Sequence, residues 1–258
     1  MPALSLAAGV PWLGVGDRPD AGAMFLADLA KDLARLVVPV ACAGCGLDDV
    51  PLCEGCSAPW WESPFGAEEG AGRLDVVGRT RLPVWAVTEL DGTVHRAVAT
   101  WKDGRRRDLD RFFAQAIGGA ATEVAPLLAE LGPLTVIAVP SKRASVRRRG
   151  VDLGHVLARA VANALAAAGL PAVRDAPLVA AGGRSRGRSS VGRWHSAAVR
   201  VKRPPRDGAV LLVDDVMSTG ATIARAAEAL EGVGRPVIGA LVLAATPRRD
   251  GGARPGLG

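Results

Sequence analysis

The stretch VLLVDDVMSTGATI, from Val210 to Ile223, decides the fold of this chain. Its first half is a run of aliphatic residues, which is typical of a strand buried on both faces of a parallel sheet. The run ends in two adjacent carboxylates, Asp214 and Asp215, and a loop that leads into a predicted helix. In open parallel sheets, ligands bind at the carboxyl ends of the strands. We therefore expect a binding site at this loop.

The loop itself has the composition of a phosphate-binding site. Backbone amides at a helix N-terminus attract anions, and Gly220 lets the backbone approach a ligand closely. Asp214 and Asp215 can accept hydrogen bonds from sugar hydroxyls or hold a hydrated divalent cation. A ribose 5-phosphate pocket is predicted, and the alternative is an ordinary helix cap. The residues predicted to bind the 5-phosphate are Met217, Ser218, Thr219, Gly220, Ala221 and Thr222.

Strand and helix patterns alternate through the rest of this region. Short aliphatic runs separated by helical stretches predict an α/β fold, with a parallel sheet flanked by helices. The predicted strands are Val84–Leu90, Leu134–Pro140, Val210–Asp215 and Val237–Ala244. The predicted helices are Thr93–Trp101, Asp108–Leu131, Val151–Ala168 and Ala221–Leu230.

The four cysteines form two C-x-x-C pairs in the run CAGCGLDDVPLCEGC. Four thiolates make a closed tetrahedral zinc site, which is structural because no ligand position is open for substrate. An even cysteine count also allows disulfides, but nothing in the sequence points to export, and disulfides are rare in the cytosol. A redox C-x-x-C motif ordinarily occurs singly. We predict a small zinc module with the ligands Cys42, Cys45, Cys53 and Cys56.

Composition narrows the class of protein. The 258 residues are 49% hydrophobic and 22% charged, which fits one or two globular domains, and the absence of tyrosine excludes tyrosine chemistry. The formal net charge of +6 suits polyanionic partners, although an arginine-rich composition can also reflect a GC-rich genome. No stretch approaches the roughly 20 uncharged residues of a membrane span, and the N-terminus lacks the basic flank of a secretory signal. We expect a cytoplasmic protein.

Shifts in composition divide the chain into five predicted segments. Residues 24–66 combine a helix over Met24–Val38 with the zinc module, and the region after residue 80 contains the sheet. Residues 1–23 are predicted to be disordered, and residues 24–66 form the helix and zinc module. Residues 67–80 are a linker, residues 81–246 form the sheet domain, and residues 247–258 are a tail.

The Val210–Ile223 stretch resembles the phosphoribosyl pyrophosphate signature of type I phosphoribosyltransferases. Four motifs in order resemble the ComF family over about residues 26–246: the four-cysteine module, HRAVATWKDGRRRDL, VPSKRASVRRRGVDLGHVLARAVA and VDDVMSTGAT. Lys102 and Gly104 resemble the Lys and Gly of the family's Lys-x-x-Gly turn, with one residue between them here, and Arg149 matches its Arg-Gly pair. One stretch departs from the family, because Arg193 matches an Arg-x-x-Asn motif but Ser196 replaces its Asn.

This resemblance implies a type I phosphoribosyltransferase-like fold over 81–246 and binding of phosphoribosyl pyrophosphate with magnesium. It places pyrophosphate on Ser141, Lys142 and Arg143, in the basic run SKRASVRRRG, and the alternative is a solvated basic loop. It places Arg193 in a flexible loop that closes over the sugar, and the alternative is a basic surface loop.

Two functions follow from these motifs. The first is an enzyme that transfers phosphoribosyl to an unknown nitrogen acceptor, with Asp214 and Asp215 as its catalytic residues. The second is a module without turnover that binds single-stranded DNA or a nucleotide in DNA uptake during natural transformation. Fold resemblance does not choose between them.

Overall fold

The computed structural model describes residues 40–70, 74, 82–104, 106–141, 143–180 and 199–247. The described residues from Ala41 onward belong to one compact unit. Several predictions lie outside the described residues: the disordered segment 1–23, the Met24–Val38 helix, Lys142, Arg193 and nearly all of the tail. The predicted domain boundaries stay predictions.

The described residues form a mixed α/β fold. Its strands are β1 (Phe65–Gly66), β2 (Val84–Glu89), β3 (Leu134–Ala138), β4 (Ala172–Asp175), β5 (Leu178–Ala180), β6 (Val199–Val201), β7 (Ala209–Met217) and β8 (Val237–Ala245). Its helices are α1 (Glu54–Ser57), α2 (Gly92–Asp103), α3 (Asp110–Leu128), α4 (Arg143–Arg149), α5 (Leu153–Ala167) and α6 (Ala221–Glu231). Short 3-10 turns are Ala58–Trp61, Glu68–Gly70, Arg107–Leu109 and Ala129–Leu131.

The central sheet has the strand order β1-β2-β8-β7-β3-β4. All neighbours are parallel except β1, which pairs with β2 in the antiparallel direction. The mostly parallel sheet confirms the predicted fold class. The strand β7 is central, between β3 and β8. Ligands of such folds bind at the carboxyl ends of the strands, so the end of β7 lies in the middle of the expected binding region.

Alternate residues of β7 pack into two separate apolar cores, one on each face of the sheet. Leu211 and Val213 pack with residues of α2, α3 and α5. Val210 and Leu212 pack on the opposite face, where Ile223 and neighbouring residues of α6 cover the sheet. This double coverage explains why the strand is aliphatic at successive positions.

The basic run after β3 forms a helix, which corrects the predicted loop. Arg143–Arg149 is α4, and its composition of arginine, alanine, serine and valine contains no helix breaker. The helix ends before Gly150, whose φ of 73° is left-handed and typical of a helix C-terminus. The alternative of a solvated basic loop is wrong in its backbone conformation, although Arg147 and Arg148 are exposed.

Four short strands were not predicted. The edge strand β4 has exposed residues in its middle, so it lacks the aliphatic run of a buried strand. The strands β5 and β6 pair with each other in a separate two-stranded sheet. The strand β1 has only two residues, and their partners Trp85 and Ala86 belong to β2.

One helical stretch among the described residues, Arg107–Leu131, has the length and apolar composition of a membrane span. This stretch contains α3, which places Phe113, Ile117 and Val124 in the core against the sheet. Its apolar residues thus have a packing role inside the domain, and 44% of its most apolar window is buried.

Candidate functional site

The two predicted carboxylates lie near the carboxyl end of β7, inside the strand, which continues to Met217. Because side chains alternate along a strand, they face opposite sides of the sheet. Asp214 lines a small concavity of about 40 Å³ together with the loop that follows the strand. Asp215 faces α2 on the other side, where it meets Lys102.

The loop after β7 presents an uncapped helix N-terminus. Gly220 is the N-cap of α6, with a left-handed φ of 73°, and no side chain accepts a hydrogen bond from the first turn. Ser218 and Thr219 are exposed, whereas the Met217 side chain is buried in the core. The concavity is lined by Asp214, Val216 and residues 217–223, so it includes all six predicted phosphate-binding residues. Neither aspartate caps the helix, which corrects the helix-cap alternative.

The Asp214 carboxyl group has a pKa raised well above its usual range. Burial is the main cause, and the negative charge of Asp215 adds to it. The backbone amide of Asp215 donates to Asp214 Oδ1 at 2.8 Å, and this hydrogen bond lowers the pKa of Asp214. The positive charge of Lys102 lowers it too. Two neighbouring carboxylates in this setting favour a ligand that brings hydroxyl donors or a cation.

Lys102 is a site residue to which the sequence gave no role. Its Nζ lies 2.9 Å from Asp215 Oδ1, and the two side chains are 31% and 14% exposed. It lies in the last turn of α2, which ends at Gly104. A Cβ on Gly104 would lie 2.5 Å from the Thr100 carbonyl oxygen, so the turn requires glycine. The Lys-Asp-Gly run was the only sequence feature that pointed to Lys102, because its ion pair with Asp215 joins residues far apart in sequence.

The predicted pyrophosphate loop starts at the same edge of the sheet. The amide of Val139 donates to the Val213 carbonyl at 2.8 Å, which holds the start of the loop beside β7. Ser141 is half-buried and lines a cavity of about 480 Å³ that also contains Arg147. Arg143 begins α4, and Lys142 lies outside the described residues.

A buried carboxylate anchors the hairpin of β5 and β6, which flank residues 181–198 in the sequence. Asp175 is 4% exposed, and its oxygens accept from the Arg203 guanidinium, from the Arg206 amide at 2.9 Å and from the Ala176 amide at 2.7 Å. Burial raises the pKa of Asp175, but these donors outweigh burial and lower it. The hairpin base is therefore tied to the end of β4. The predicted loop residue Arg193 lies outside the described residues.

The four cysteine sulfurs lie within 4.8 Å of one another. Cys42 Sγ is 3.7 Å from Cys53 Sγ, which is 3.6 Å from Cys45 Sγ. A tetrahedron with zinc–sulfur bonds of about 2.3 Å has sulfur separations of roughly 3.8 Å, so the arrangement fits a zinc ion.

The protonation behaviour of the cluster also fits a cation. Burial raises the pKa of Cys42, but the backbone amides of Cys45, Cys53 and Gly44 outweigh it and lower this pKa to about 6. Burial and the neighbouring sulfurs raise the pKa of Cys56 to about 12. The four sulfurs can all be thiolates only when a cation balances their charge.

The cysteine segment, residues 41–56, contacts α2 and the residues just after that helix. Arg96 Nε donates to the Gly44 carbonyl at 2.5 Å, and Thr100 Oγ1 donates to the Ala43 carbonyl at 3.3 Å. Arg106 donates to two further carbonyls of the segment, those of Ala41 and Pro51. The same helix thus contacts the cysteine segment and carries Lys102 to Asp215.

Residues 144–254 match the family model of the phosphoribosyl transferase domain. Residues 144–254 thus have the sequence pattern of a phosphoribosyl transferase domain. The matched segment includes α5, the hairpin, both β7 carboxylates and the loop into α6, whereas α2 and the cysteines precede it. The concavity at the end of β7 is therefore part of this domain. The finer resemblance to the ComF family stays a prediction.

Solved structures of phosphoribosyltransferases show similarity to part of the chain. Hypoxanthine phosphoribosyltransferase from Trypanosoma cruzi, in complex with the product IMP, is 19% identical, with 54% of this chain and 71% of that chain covered and a TM-score of 0.34. Orotate phosphoribosyltransferase from Aeropyrum pernix is 21% identical, with 69% and 77% covered and a TM-score of 0.28. No curated protein matches the sequence.

Proposed function

We propose that this protein binds phosphoribosyl pyrophosphate with magnesium at the carboxyl end of β7 and transfers its phosphoribosyl group to a nitrogen acceptor. One observation carries the proposal. In a phosphoribosyl transferase domain, Asp214 lines the same concavity as the uncapped N-terminus of α6. A carboxylate beside an anion-binding helix start suits a sugar phosphate, because one end binds phosphate and the other binds hydroxyl groups.

Each end of the substrate has a proposed binding surface. The amides and hydroxyls of residues 217–222 bind the 5-phosphate, and Asp214 and Asp215 accept hydrogen bonds from the ribose hydroxyls. The carboxylates also stabilise positive charge at the anomeric carbon as its bond to pyrophosphate breaks. The acceptor nitrogen then bonds to that carbon and loses its proton, and pyrophosphate leaves.

The pyrophosphate end lies toward α4 in this proposal. Ser141, Lys142 and Arg143 bind pyrophosphate, and Arg193 belongs to a loop that excludes water during the reaction. Magnesium, when bound with the substrate, neutralises part of the pyrophosphate charge. Lys102 pairs with Asp215 and balances its charge.

The four cysteines bind one structural zinc ion in this proposal. Because all four ligand positions are sulfur, the ion stabilises the fold and takes no part in phosphoribosyl transfer. Reduced thiolate ligands and a phosphorylated sugar substrate both suit the reducing cytoplasm, where we place the protein.

A second function is binding of single-stranded DNA in natural transformation, as the ComF resemblance implies. The net charge of +6 and the exposed Arg147 and Arg148 of α4 favour a polyanion. In this case the concavity would bind a 5-phosphate of DNA or of a nucleotide without turnover.

Calorimetric titration with phosphoribosyl pyrophosphate and magnesium tests the first function. We expect the wild type to bind and Asp215→Asn to lose at least tenfold in affinity, because a hydrogen-bonded carboxylate contributes about 1.5–3 kcal/mol. Asp207→Asn is the matched control, since Asp207 is 95% exposed and pairs with Arg235 before β8. Equal binding by wild type and Asp215→Asn would contradict the proposed placement of the sugar.

Titration with a single-stranded oligonucleotide at several salt concentrations separates the two functions. DNA binding through phosphates weakens steeply as salt rises, and it should survive Asp215→Asn because a negative charge is removed. Oligonucleotide binding together with no phosphoribosyl pyrophosphate binding would favour the DNA module. Pyrophosphate release with an acceptor present would establish the enzyme.

A further inference from the structure

Arginine side chains meet at a second cleft, where the start of α3 and the middle of α5 approach β4. This arginine cleft has a volume of about 640 Å³. It is distinct from the concavity at the end of β7, with which it shares no lining residue. The arginines that line it are Arg107, Arg111, Arg159 and Arg174.

The arginine cleft carries a net positive charge, because four arginines line it against the two carboxylates Asp110 and Asp152. Asp110, one of its two carboxylates, accepts from Arg107 at 3.1 Å and from Trp101 Nε1 at 2.8 Å. Asp152, the other, accepts from the Gly154 amide at 3.1 Å and caps α5. Within the part of the chain that the structure describes, no ion pair or hydrogen bond involves the side chains of Arg111, Arg159 and Arg174.

Three guanidinium groups without an ion-pair partner in the described residues, around a cleft with a net positive charge, favour a multivalent anion. Each guanidinium can bind a phosphate oxygen pair in a bidentate fork. The volume of the cleft falls within the roughly 300–1,000 Å³ of small-molecule sites. Aliphatic side chains of Ala114, Val151 and Val156 complete part of the wall.

The residues that line the cleft favour a compact anion over a nucleic acid strand. Proteins that bind single strands stack the bases on aromatic side chains, and none of the residues lining the arginine cleft is Phe or Trp. We propose that the arginine cleft binds a compact oligophosphate, with two or three adjacent phosphate groups. These groups can come from an inorganic oligophosphate or from the 5′-oligophosphate of a nucleotide.

The arginine cleft borders the proposed pyrophosphate loop. Asp152 and His155 line both the cleft and the 480 Å³ cavity that contains Ser141. An oligophosphate in the cleft thus lies next to the start of α5. The proposal does not depend on phosphoribosyl transfer, because none of the three arginines lies in the proposed phosphoribosyl site.

Calorimetric titration of the full chain with inorganic tripolyphosphate, without magnesium, tests the arginine cleft. We expect Arg111→Gln and Arg174→Gln each to weaken binding about tenfold or more, since each removes a charged hydrogen-bond donor. Arg235→Gln is the control, because it makes the same charge change outside the cleft. Thermal unfolding of each variant verifies that it is folded.

Further ligands identify the source of the phosphates. Equal affinity for adenosine triphosphate and tripolyphosphate means that only phosphates are recognised, and tighter binding of adenosine triphosphate means a nucleotide. The proposal is overturned if tripolyphosphate does not bind at millimolar concentration, or if the two arginine variants bind like wild type. It is also overturned if a single-stranded oligonucleotide binds more tightly and loses affinity in the same variants.

Binding at the phosphoribosyl site would be recognised separately. Tripolyphosphate binding should be unchanged in Gly220→Ala, which shifts the amides that begin α6, and its loss there would place the anion at the end of β7 and overturn the cleft proposal. Failure of phosphoribosyl pyrophosphate to bind, with tripolyphosphate binding intact, would contradict only the proposed function.

Discussion

At the scale of single residues, the site depends on charges brought together from distant parts of the chain. Lys102 of α2 contacts Asp215 of β7, and its charge also acts on Asp214. Because Asp214 has a raised pKa, the number of negative charges at the site depends on this lysine. Asp175 is held by a comparable pair with Arg203 at the hairpin base.

Lys102→Met should move phosphoribosyl pyrophosphate binding to higher pH. The charge of Lys102 lowers the pKa of Asp214, so its removal raises that pKa further and leaves more of the carboxyl group protonated at neutral pH. Affinity measured across a pH series checks this, with Lys102→Arg as the charge-preserving control. An identical pH profile for wild type and Lys102→Met would contradict the role assigned to the lysine.

Asp175→Asn should lower the free energy of unfolding by about 1–3 kcal/mol near neutral pH, because it removes a buried acceptor of charged donors. The pKa of Asp175 is lowered in the folded protein, so its contribution is present above the unfolded pKa of about 3.9. The contribution is lost as pH falls through the folded pKa. Urea unfolding at several pH values should therefore show the difference from wild type shrinking in acid.

The exposed Asp207→Asn is the control for this comparison, because a surface pair contributes little, about 0–1 kcal/mol. A difference between Asp175→Asn and wild type that persists unchanged in acid would show that the carboxylate charge is not its cause.

At the scale of elements, long periodic segments were predictable and short ones were not. The predicted helices and strands around α3, α5, β7 and β8 are confirmed, because each buries a continuous apolar face. The strand β4 is a half-exposed edge strand, and β5 and β6 have only three residues each. None of the three is long or apolar enough to show a repeating pattern of hydrophobic residues. The basic residues of α4 indicated solvation but gave no information on backbone conformation.

Gly220→Ala should lower the affinity for phosphoribosyl pyrophosphate by more than its loss of folding stability explains. A non-glycine residue at its φ of 73° costs roughly 1–2 kcal/mol and shifts the amides that begin α6. Gly234→Ala is the matched control, since its φ of 75° is equally left-handed and no atom crowds its added Cβ. Both variants should lose similar stability in urea, and only Gly220→Ala should lose affinity.

Equal losses of affinity in the two glycine variants would mean that general destabilisation, rather than the position of the α6 amides, explains the effect.

At the scale of the whole molecule, the cysteine segment and the phosphoribosyl transferase domain meet at α2. Arg96 and Thr100 contact backbone carbonyls of the segment, and Lys102 on the same helix contacts Asp215. The sequence predicted the cysteine cluster and the β7 carboxylates from local spacing. The contacts between them were not predictable, because they join residues more than 50 positions apart and leave no local pattern.

Removal of the predicted zinc should destabilise the chain and weaken phosphoribosyl pyrophosphate binding through α2. Elemental analysis should find one zinc ion per chain, and a chelator should lower the thermal midpoint because metal binding stabilises only the folded state. Cys53→Ser should act in the same direction as the chelator. A metal-free preparation with an unchanged midpoint would show that the cysteines do not bind a structural ion.

The most direct test of the phosphoribosyl site is competition between parts of its substrate. Wild-type protein would be titrated with ribose 5-phosphate, and then with phosphoribosyl pyrophosphate and magnesium on top of it. We predict that ribose 5-phosphate binds once per chain and that phosphoribosyl pyrophosphate binds more tightly and displaces it. Absence of phosphoribosyl pyrophosphate binding, or simultaneous binding of both ligands, would contradict a single ribose 5-phosphate pocket at the end of β7.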